Sequence, residues 1–402
     1  MSTIHVLPFL FLMFLLTGES TGRPHVLDQQ YEGTDSLTKG IVTKELHGYM
    51  KFIPSVYFQD RADSVFSEGF LHNRINLKIS DGKGLQFRAE MRNRLYYGEV
   101  VRMQPQFGSI VDDDTGWVRM AVLWVDQPGF VLLSNIDRLQ VSYDAGRYSL
   151  VLGRQRINWG INTLWNPNDL FNAWNFLDFD YEERPGTDAI RLRYNASETA
   201  SLELAYSPAE SVENHTAAML WRFNRSRFDY QLLAGKYKHD LVLGGGFAGH
   251  IRQTGFKGEV SWFNPLYGGL YGGQTIAASI EFDRTFKNDW YLNTAVLHNR
   301  VEDDFDLTVA GIYRSRVSPR QLMPWSWNFS ISALKQISPP ISASLGLVFS
   351  PEDASTILLP GLNWNVADNF YIDLIGQSFF SRQASNYQVI VNSLYLRIQL
   401  RY

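Results

Sequence analysis

The side chains with the most chemical potential in this chain are arginines at two-residue spacing. Arg88, Arg92 and Arg94 enclose Glu90, and Arg191 and Arg193 alternate with Leu192 and Tyr194. Side chains two apart on an extended strand share a face. Such a row is a charged wall that attracts anions and does not build a proton-transfer pair. A second group lies in the stretch 159–187, where Asp178, Asp180, Glu182 and Glu183 precede Arg184, with Trp165 upstream. Adjacent carboxylates such as Glu182 and Glu183 are the residue type of general acid–base work. Opposite an arginine wall, their expected state is ion-paired. No Gly-x-Ser-x-Gly elbow, His-Glu-x-x-His motif or phosphate-binding glycine loop occurs, and the eight histidines are scattered. Gly244-Gly245-Gly246 falls within a strand pattern and reads as a kink or a close contact. The expectation is a protein that is not an enzyme, with no catalytic residue, metal or cofactor.

The elements that position these residues are strands. From about residue 45 the alternation is two-residue. Leu85, Phe87, Ala89 and Met91 alternate with Gln86, Arg88, Glu90 and Arg92. Eighteen strands can be traced, sixteen if two are loop hairpins, and many have ten or more residues. Membrane-barrel strands need about 9–11 residues. Turn residues such as Asp81-Gly82-Lys83-Gly84 and Asp144-Ala145-Gly146 follow even-numbered strands. Longer connections, among them 99–134, 159–187 and 302–322, mostly follow odd-numbered ones. Short turns on one rim and long loops on the other predict an all-β, antiparallel, up-and-down transmembrane barrel with both termini on the short-turn side. Aromatics near strand ends, such as Tyr96, Trp159, Trp262 and Trp325, resemble interfacial girdles.

Composition agrees. The 402 residues include no Cys, 37 Lys and Arg, 41 Asp and Glu, and 14% aromatics. Near-balanced charge gives no reason to expect nucleic acid as a partner, and zero Cys excludes disulfides and thiolate metal sites. Mean hydropathy of −0.20 is too polar for a bundle of membrane helices. The apolar run Val6–Leu16, followed by Gly18 and Ser20, reads as a signal peptide over 1–20. Residues 21–44 are expected to be a periplasmic N-terminal segment, and 45–402 the barrel.

The chain's end, Ser393-Leu394-Tyr395-Leu396-Arg397-Ile398-Gln399-Leu400-Arg401-Tyr402, resembles the terminal strand of Gram-negative outer-membrane proteins. In that family an aromatic terminus, preceded by alternate apolar residues, is recognised by the assembly machinery. The upstream glycine of some members is missing here. The resemblance implies the outer membrane of a Gram-negative bacterium, with its lipid and its assembly machinery as partners. A narrower segment, Gly153–Gly160 with Trp165–Phe171 and Glu183–Gly186, resembles porin-like barrels of poorly characterised type and implies a barrel-plus-loop element with no known substrate.

Alternation assigns the interior. One wall would carry Arg74, Lys78, Arg88, Glu90, Arg92, Arg94, Arg138, Arg191, Arg193 and Arg397. The opposite wall would carry Glu203, Asp229, Glu259, Glu281, Asp283 and Asp373. The connection 159–187 holds Leu164, Trp165, Phe171, Phe176 and Leu177, which need burial, so it is expected to fold inward as a constriction. Its carboxylates would then face the arginine wall. The functional expectation is a porin-like channel for diffusion of small hydrophilic solutes through a charged, constricted lumen, with further copies of the chain among its expected partners as a homo-oligomer. The alternative is a plugged barrel whose loops bind a surface partner or polysaccharide.

Overall fold

The structure is a computed structural model that describes residues 41–58, 65–173, 186–266, 273–301, 317–383 and 386–402. The signal peptide, most of the N-terminal segment, and Asp178, Asp180, Glu182, Glu183 and Arg184 lie outside the described residues.

Among the described residues, nineteen strands run in chain order: β1 (Thr43–Phe58), β2 (Val65–Ser80), β3 (Leu85–Gly98), β4 (Ala121–Gln127), β5 (Phe130–Ala145), β6 (Tyr148–Gln155), β7 (Thr187–Ser197), β8 (Ala200–Ser207), β9 (Thr216–Arg225) and β10 (Phe228–Tyr237). They continue as β11 (Asp240–Ile251), β12 (Thr254–Pro265), β13 (Thr275–Thr285), β14 (Trp290–His298), β15 (Trp327–Ser338), β16 (Ile341–Phe349), β17 (Thr356–Ala367), β18 (Phe370–Gln383) and β19 (Asn386–Arg401). All pairs are antiparallel. Eighteen strands form a ring that closes where β1 pairs with β19, Tyr49 opposite Arg401 and Phe58 opposite Asn392. Lipid cannot satisfy a free strand edge, so a sheet that crosses a membrane must close. The predicted eighteen strands are thus the ring strands, and the sixteen-strand option falls away.

The extra strand, β4, stands outside the ring and, among the described residues, pairs with β5 alone. Its cause is local. β6 meets β5 only from Leu139 to Ala145, which leaves the stretch Phe130–Asn135 of β5 without β6. β4 takes that edge, Ala121 opposite Asn135 and Gln127 opposite Phe130, through the turn Pro128-Gly129. Two short helices, α1 (Glu99–Met103) and α2 (Phe107–Val111), precede it.

The short-turn rim follows the turn chemistry. Ser226 and Arg227 both take left-handed φ, 55° and 68°, which a two-residue hairpin loop of matching twist requires. At the seam, Gly48 exchanges backbone hydrogen bonds with Tyr402, N to O at 2.8 Å and 3.0 Å. A Cβ on Gly48 would meet the Tyr402 ring at 2.8 Å, so the closing aromatic needs glycine beneath it.

Burial separates the two faces. Along β1, Tyr49, Lys51, Ile53, Ser55 and Tyr57 are buried, while Phe52 and Val56 are exposed. The same alternation exposes Ile190 and Leu192, Leu204 and Tyr206, Met219 and Trp221, and Leu394, Leu396 and Leu400. Exposed apolar stripes that run round the whole ring are the lipid-facing belt of a membrane barrel. In the half nearer the long connections, the interior holds two apolar clusters. One joins Tyr57, Phe70, Tyr96 and Leu297 to Val101, Phe107, Trp165, Met323 and Trp325 from the connections. The other joins Ala205, Leu220, Val242 and Phe263 to Ile157, Trp159 and Leu170.

Candidate functional site

Two walls of the interior carry groups of buried charged side chains, and each group is satisfied in its own way. On β2, β3 and β5 the arginines meet carboxylate side chains. Arg74 bonds Asp137 at 2.5 Å and Glu90 at 2.6 Å, and its own side chain is fully buried. Arg92 reaches Asp137 at 3.1 Å and Asp113 at 2.8 Å, and Arg94 reaches Asp113 at 2.7 Å. Asn135 also donates to Asp113, at 2.9 Å. Asp137 sits at a bulge, where Glu90 pairs with Arg138 but the next residue, Met91, pairs with Ile136. The extra residue is re-aimed, which is what a bulge does, and the carboxylate turns to the arginines.

Asp113 belongs to the connection between α2 and β4. Burial would raise its pKa, but Arg92 and Arg94 hold it well below the ordinary carboxylate range. Its neighbours brace the same segment: Asp112 pairs with Arg119 at 2.5 Å, and Asp114 pairs with Arg154 at 2.9 Å. Arg154 also bonds Asp188 at 2.8 Å. Asp113 and Asp114 therefore pin the first long connection to Arg92, Arg94 and Arg154 of the wall, while Asp112 pairs with Arg119 inside the connection. Among the described residues, the connection that reaches Arg92 and Arg94 is this one; Asp178, Asp180, Glu182 and Glu183, expected to face the arginine wall, lie outside the described residues.

The second wall uses backbone donors. The segment 156–173 turns inward from the end of β6 and packs on β8–β13. Glu259 on β12 accepts from the backbone N–H of Ile161, of Asn162 at 3.1 Å and of Asn168 at 3.0 Å. Glu281 on β13 accepts from Thr163 at 2.8 Å and Leu164 at 3.2 Å, and from the Asn293 side chain at 2.7 Å. Glu203 on β8 accepts from the Trp159 indole N–H. Asparagines complete the seat. Asn168 donates to Gly245 O at 2.9 Å and accepts from Ser261 at 2.7 Å, while Asn172 accepts from Ile157 N–H at 2.8 Å. A Cβ at Gly244 would lie 2.8 Å from Asn168 Oδ1, so the glycine run is a close contact that admits the segment. Trp165 is buried in the first apolar cluster at 2% exposure.

The remaining expected positions divide by exposure. Arg397 is taken by Asp373 at 2.7 Å, and Arg138 is buried with its guanidinium on Asp137 O at 2.8 Å. Lys78 is 26% exposed and meets Glu45 at 3.4 Å, and Arg88 is 37% exposed with Glu90 at 3.9 Å. Arg191 and Arg193 are half-buried and share the inward face of β7 with the buried Ala189. Among the described residues neither makes an ion pair. Arg222 on β9, which the sequence reading omitted, stands near them, 29% exposed and 4.0 Å from Glu203. Its alternation, Leu220 and Arg222 on one face, carried the signal. No group of His, Cys, Asp and Glu suited to a metal ion occurs among the described residues.

No protein-family model matches the chain, and no curated protein matches it. Solved structures do. Over 89% of this chain and 98% of the other, it is similar to OccAB4 of Acinetobacter baumannii, with 11% identity and a TM-score of 0.56. It is similar over the same shares to OccK8 (OprE) of Pseudomonas aeruginosa, with 9% identity and a TM-score of 0.58. OccK11 (OpdR) of Pseudomonas aeruginosa aligns over 89% and 96%, with 9% identity and a TM-score of 0.54. These neighbours are outer-membrane porins of Gram-negative bacteria, and the chain has their fold, a closed eighteen-strand porin-like barrel.

Proposed function

We propose that this barrel is a channel of the Gram-negative outer membrane that passes small hydrophilic solutes by diffusion. The observation that carries the reading is the inward segment 156–173, seated by backbone N–H groups on Glu203, Glu259 and Glu281. It narrows the interior from the acidic side and consumes that side's charge. The cations Arg191, Arg193, Arg222 and, nearer the short-turn rim, Arg88 then dominate the accessible interior, which favours anions locally. The Occ channels share the fold, and that likeness supports transport without naming a solute. In this reading residues 1–20 are an export signal, 21–44 lie in the periplasm, and the strand ending at Tyr402 is the handle of the assembly machinery.

A second reading has its own support. Trp165, Leu322, Met323 and Trp325 from the connections pack with Tyr57, Phe70 and Tyr96 of the wall, which fills part of the interior with apolar side chains. A barrel plugged in this way would present its loops to a partner or polysaccharide. Planar-bilayer recording on purified protein separates the two. Ohmic steps are the expected result, and a silent membrane with correctly folded protein would replace the channel by the plugged barrel.

A further inference from the structure

The short turns form one rim of the barrel, and their charge is uneven. The turns Asp81–Gly84 and Asp144–Arg147 each carry one acid and one base, Ser197–Thr199 and Ala367–Asn369 carry an acid alone, and Ser338–Pro340 is neutral. The turns that join β9 to β10, β11 to β12 and β13 to β14, with the strand ends beside them, hold Arg225, Arg227, Arg252, Arg284 and Lys287 against the acid Asp289. All these cations are exposed, and among the described residues none is in an ion pair. Two further acids close by are turned to the lumen and engaged there. Asp229 accepts from Asn224 at 2.8 Å, and Asp283 pairs with Lys257 at 3.4 Å.

Beside the cations, on the lipid-facing surface, runs a ribbon of rings. Phe223 and Tyr230 stack at 5.5 Å between centroids, Phe228 meets Phe247 at 6.4 Å, Phe247 meets Phe256 at 4.8 Å, and Phe256 stacks on Phe282 at 4.8 Å. Tyr230 and Phe282 alternate with the buried inward residues Gln231 and Glu281, which fixes the outward direction of the rings. Phe223 and Phe282 stand two residues before Arg225 and Arg284, so the ribbon runs one step inside the row of cations. Arg284 lies over the Phe286 ring at 5.1 Å and donates to Gln253 at 3.3 Å. Rings at this level mark the boundary between lipid tails and headgroups, and long basic side chains reach outward from it to the headgroups.

We propose that the short-turn rim of β9–β14 is a binding site for anionic phospholipid of the periplasmic leaflet, with phosphatidylglycerol as the type. Guanidinium groups take phosphate oxygens in a fork and keep their charge at every relevant pH. The ribbon receives the first carbons of the acyl chains, which a soluble acidic partner could not use. A zwitterionic headgroup brings its own ammonium to the row and gains less. The site requires that the short turns face the periplasmic leaflet and is independent of conduction, so either can fail without the other.

Native mass spectrometry tests this on the full chain, folded in micelles with equal amounts of phosphatidylglycerol and phosphatidylethanolamine. The parent is expected to retain phosphatidylglycerol over phosphatidylethanolamine by about fivefold or more. The variant R225Q/R227Q/R252Q is expected to bring that ratio below about twofold. The variant K44Q/K83Q/R147Q removes as many cations from the rest of the same rim and is expected to keep the parent's ratio. Heat-dependent gel mobility confirms that all the barrels are folded. Equal retention of the two lipids by the parent overturns the assignment and leaves the row to a soluble acidic partner. A ratio that R225Q/R227Q/R252Q leaves unchanged overturns it too. A ratio that both variants lower alike also overturns it, since net charge alone then accounts for the preference.

Discussion

The two inner walls solve the same problem by different chemistry. On β2–β5, buried guanidinium groups are matched by the carboxylates of Asp113, Asp137 and Glu90. On β8–β13, buried carboxylates are matched by the amides of an inward segment. A guanidinium has only donors, so the protein must bring it acceptors, and charged ones are strongest. A carboxylate has only acceptors, which any irregular backbone with free N–H groups can fill. The first wall therefore neutralises itself. The second holds a segment in place without adding cations, and Arg191 and Arg193 between them keep their charge unmatched by described residues. The channel reading predicts selectivity from those two arginines. Arg92 and Arg94, with side chains only 7% exposed, are framework.

The most forceful way to break the comparison is on the first wall. Asp137→Ala leaves Arg74 and Arg92 buried without a shared partner, and breaking a buried pair costs about 3–5 kcal/mol. Denaturant unfolding of the refolded barrel is expected to show a loss of that order, and an unchanged midpoint would mean that the ion pairs are not what holds this wall. Glu259→Gln acts on the second wall. It keeps one acceptor but turns an N–H donor toward amides that are donors, at a cost of about 1–3 kcal/mol. That loss falls on the docking of 156–173. Amide hydrogen exchange should rise at Ile161, Asn162 and Asn168 while strand protection holds, and protection unchanged at those amides would detach Glu259 from the seat.

Two smaller effects sharpen the contrast. The double substitution R191S and R193S removes no ion pair among the described residues and is expected to leave the unfolding midpoint within about 0.5 kcal/mol of the parent. A large loss there would show that the two arginines are structural. Acid is expected to do least. Asp113 has a pKa held well below its ordinary value in the folded protein. Its contribution is therefore fully present above the unfolded carboxylate value of about 3.9 and is lost only as pH falls through the lower folded value. Hydrogen exchange in residues 112–114 should be the same, after correction for intrinsic rates, at pH 7 and pH 5. Release of the segment in that window would contradict the pairing with Arg92 and Arg94.

The ring was readable because a wall between lipid and a polar interior imposes two-residue alternation on every strand. Residues such as Leu394, Leu396 and Leu400 show it even in isolation. The inward course of the described part of 159–187 was also readable, since Leu164, Trp165 and Phe171 are too apolar for a solvated loop. β4 was not, because Ala121-Val122-Leu123-Trp124-Val125 is an unbroken apolar run with no period, and only Pro128-Gly129 marks its hairpin. Asp137 was hidden for another reason. Alternation aims it at lipid, and the bulge that turns it inward follows from pairing with β3. The partners of Glu259 and Glu281 are backbone N–H groups, which every residue but proline carries and which leave no trace in composition. Asp113 did leave a trace, in the acidic triple 112–114, but nothing local says which arginines it meets.

The account is tested most directly by reversal potential across a salt gradient in a planar bilayer, with the parent and the R191S/R193S variant compared. The parent is expected to conduct in ohmic steps with an anion-side reversal potential, and the variant to conduct with a potential shifted toward the cation side. Conducting protein whose reversal potential is the same with and without those arginines would contradict it.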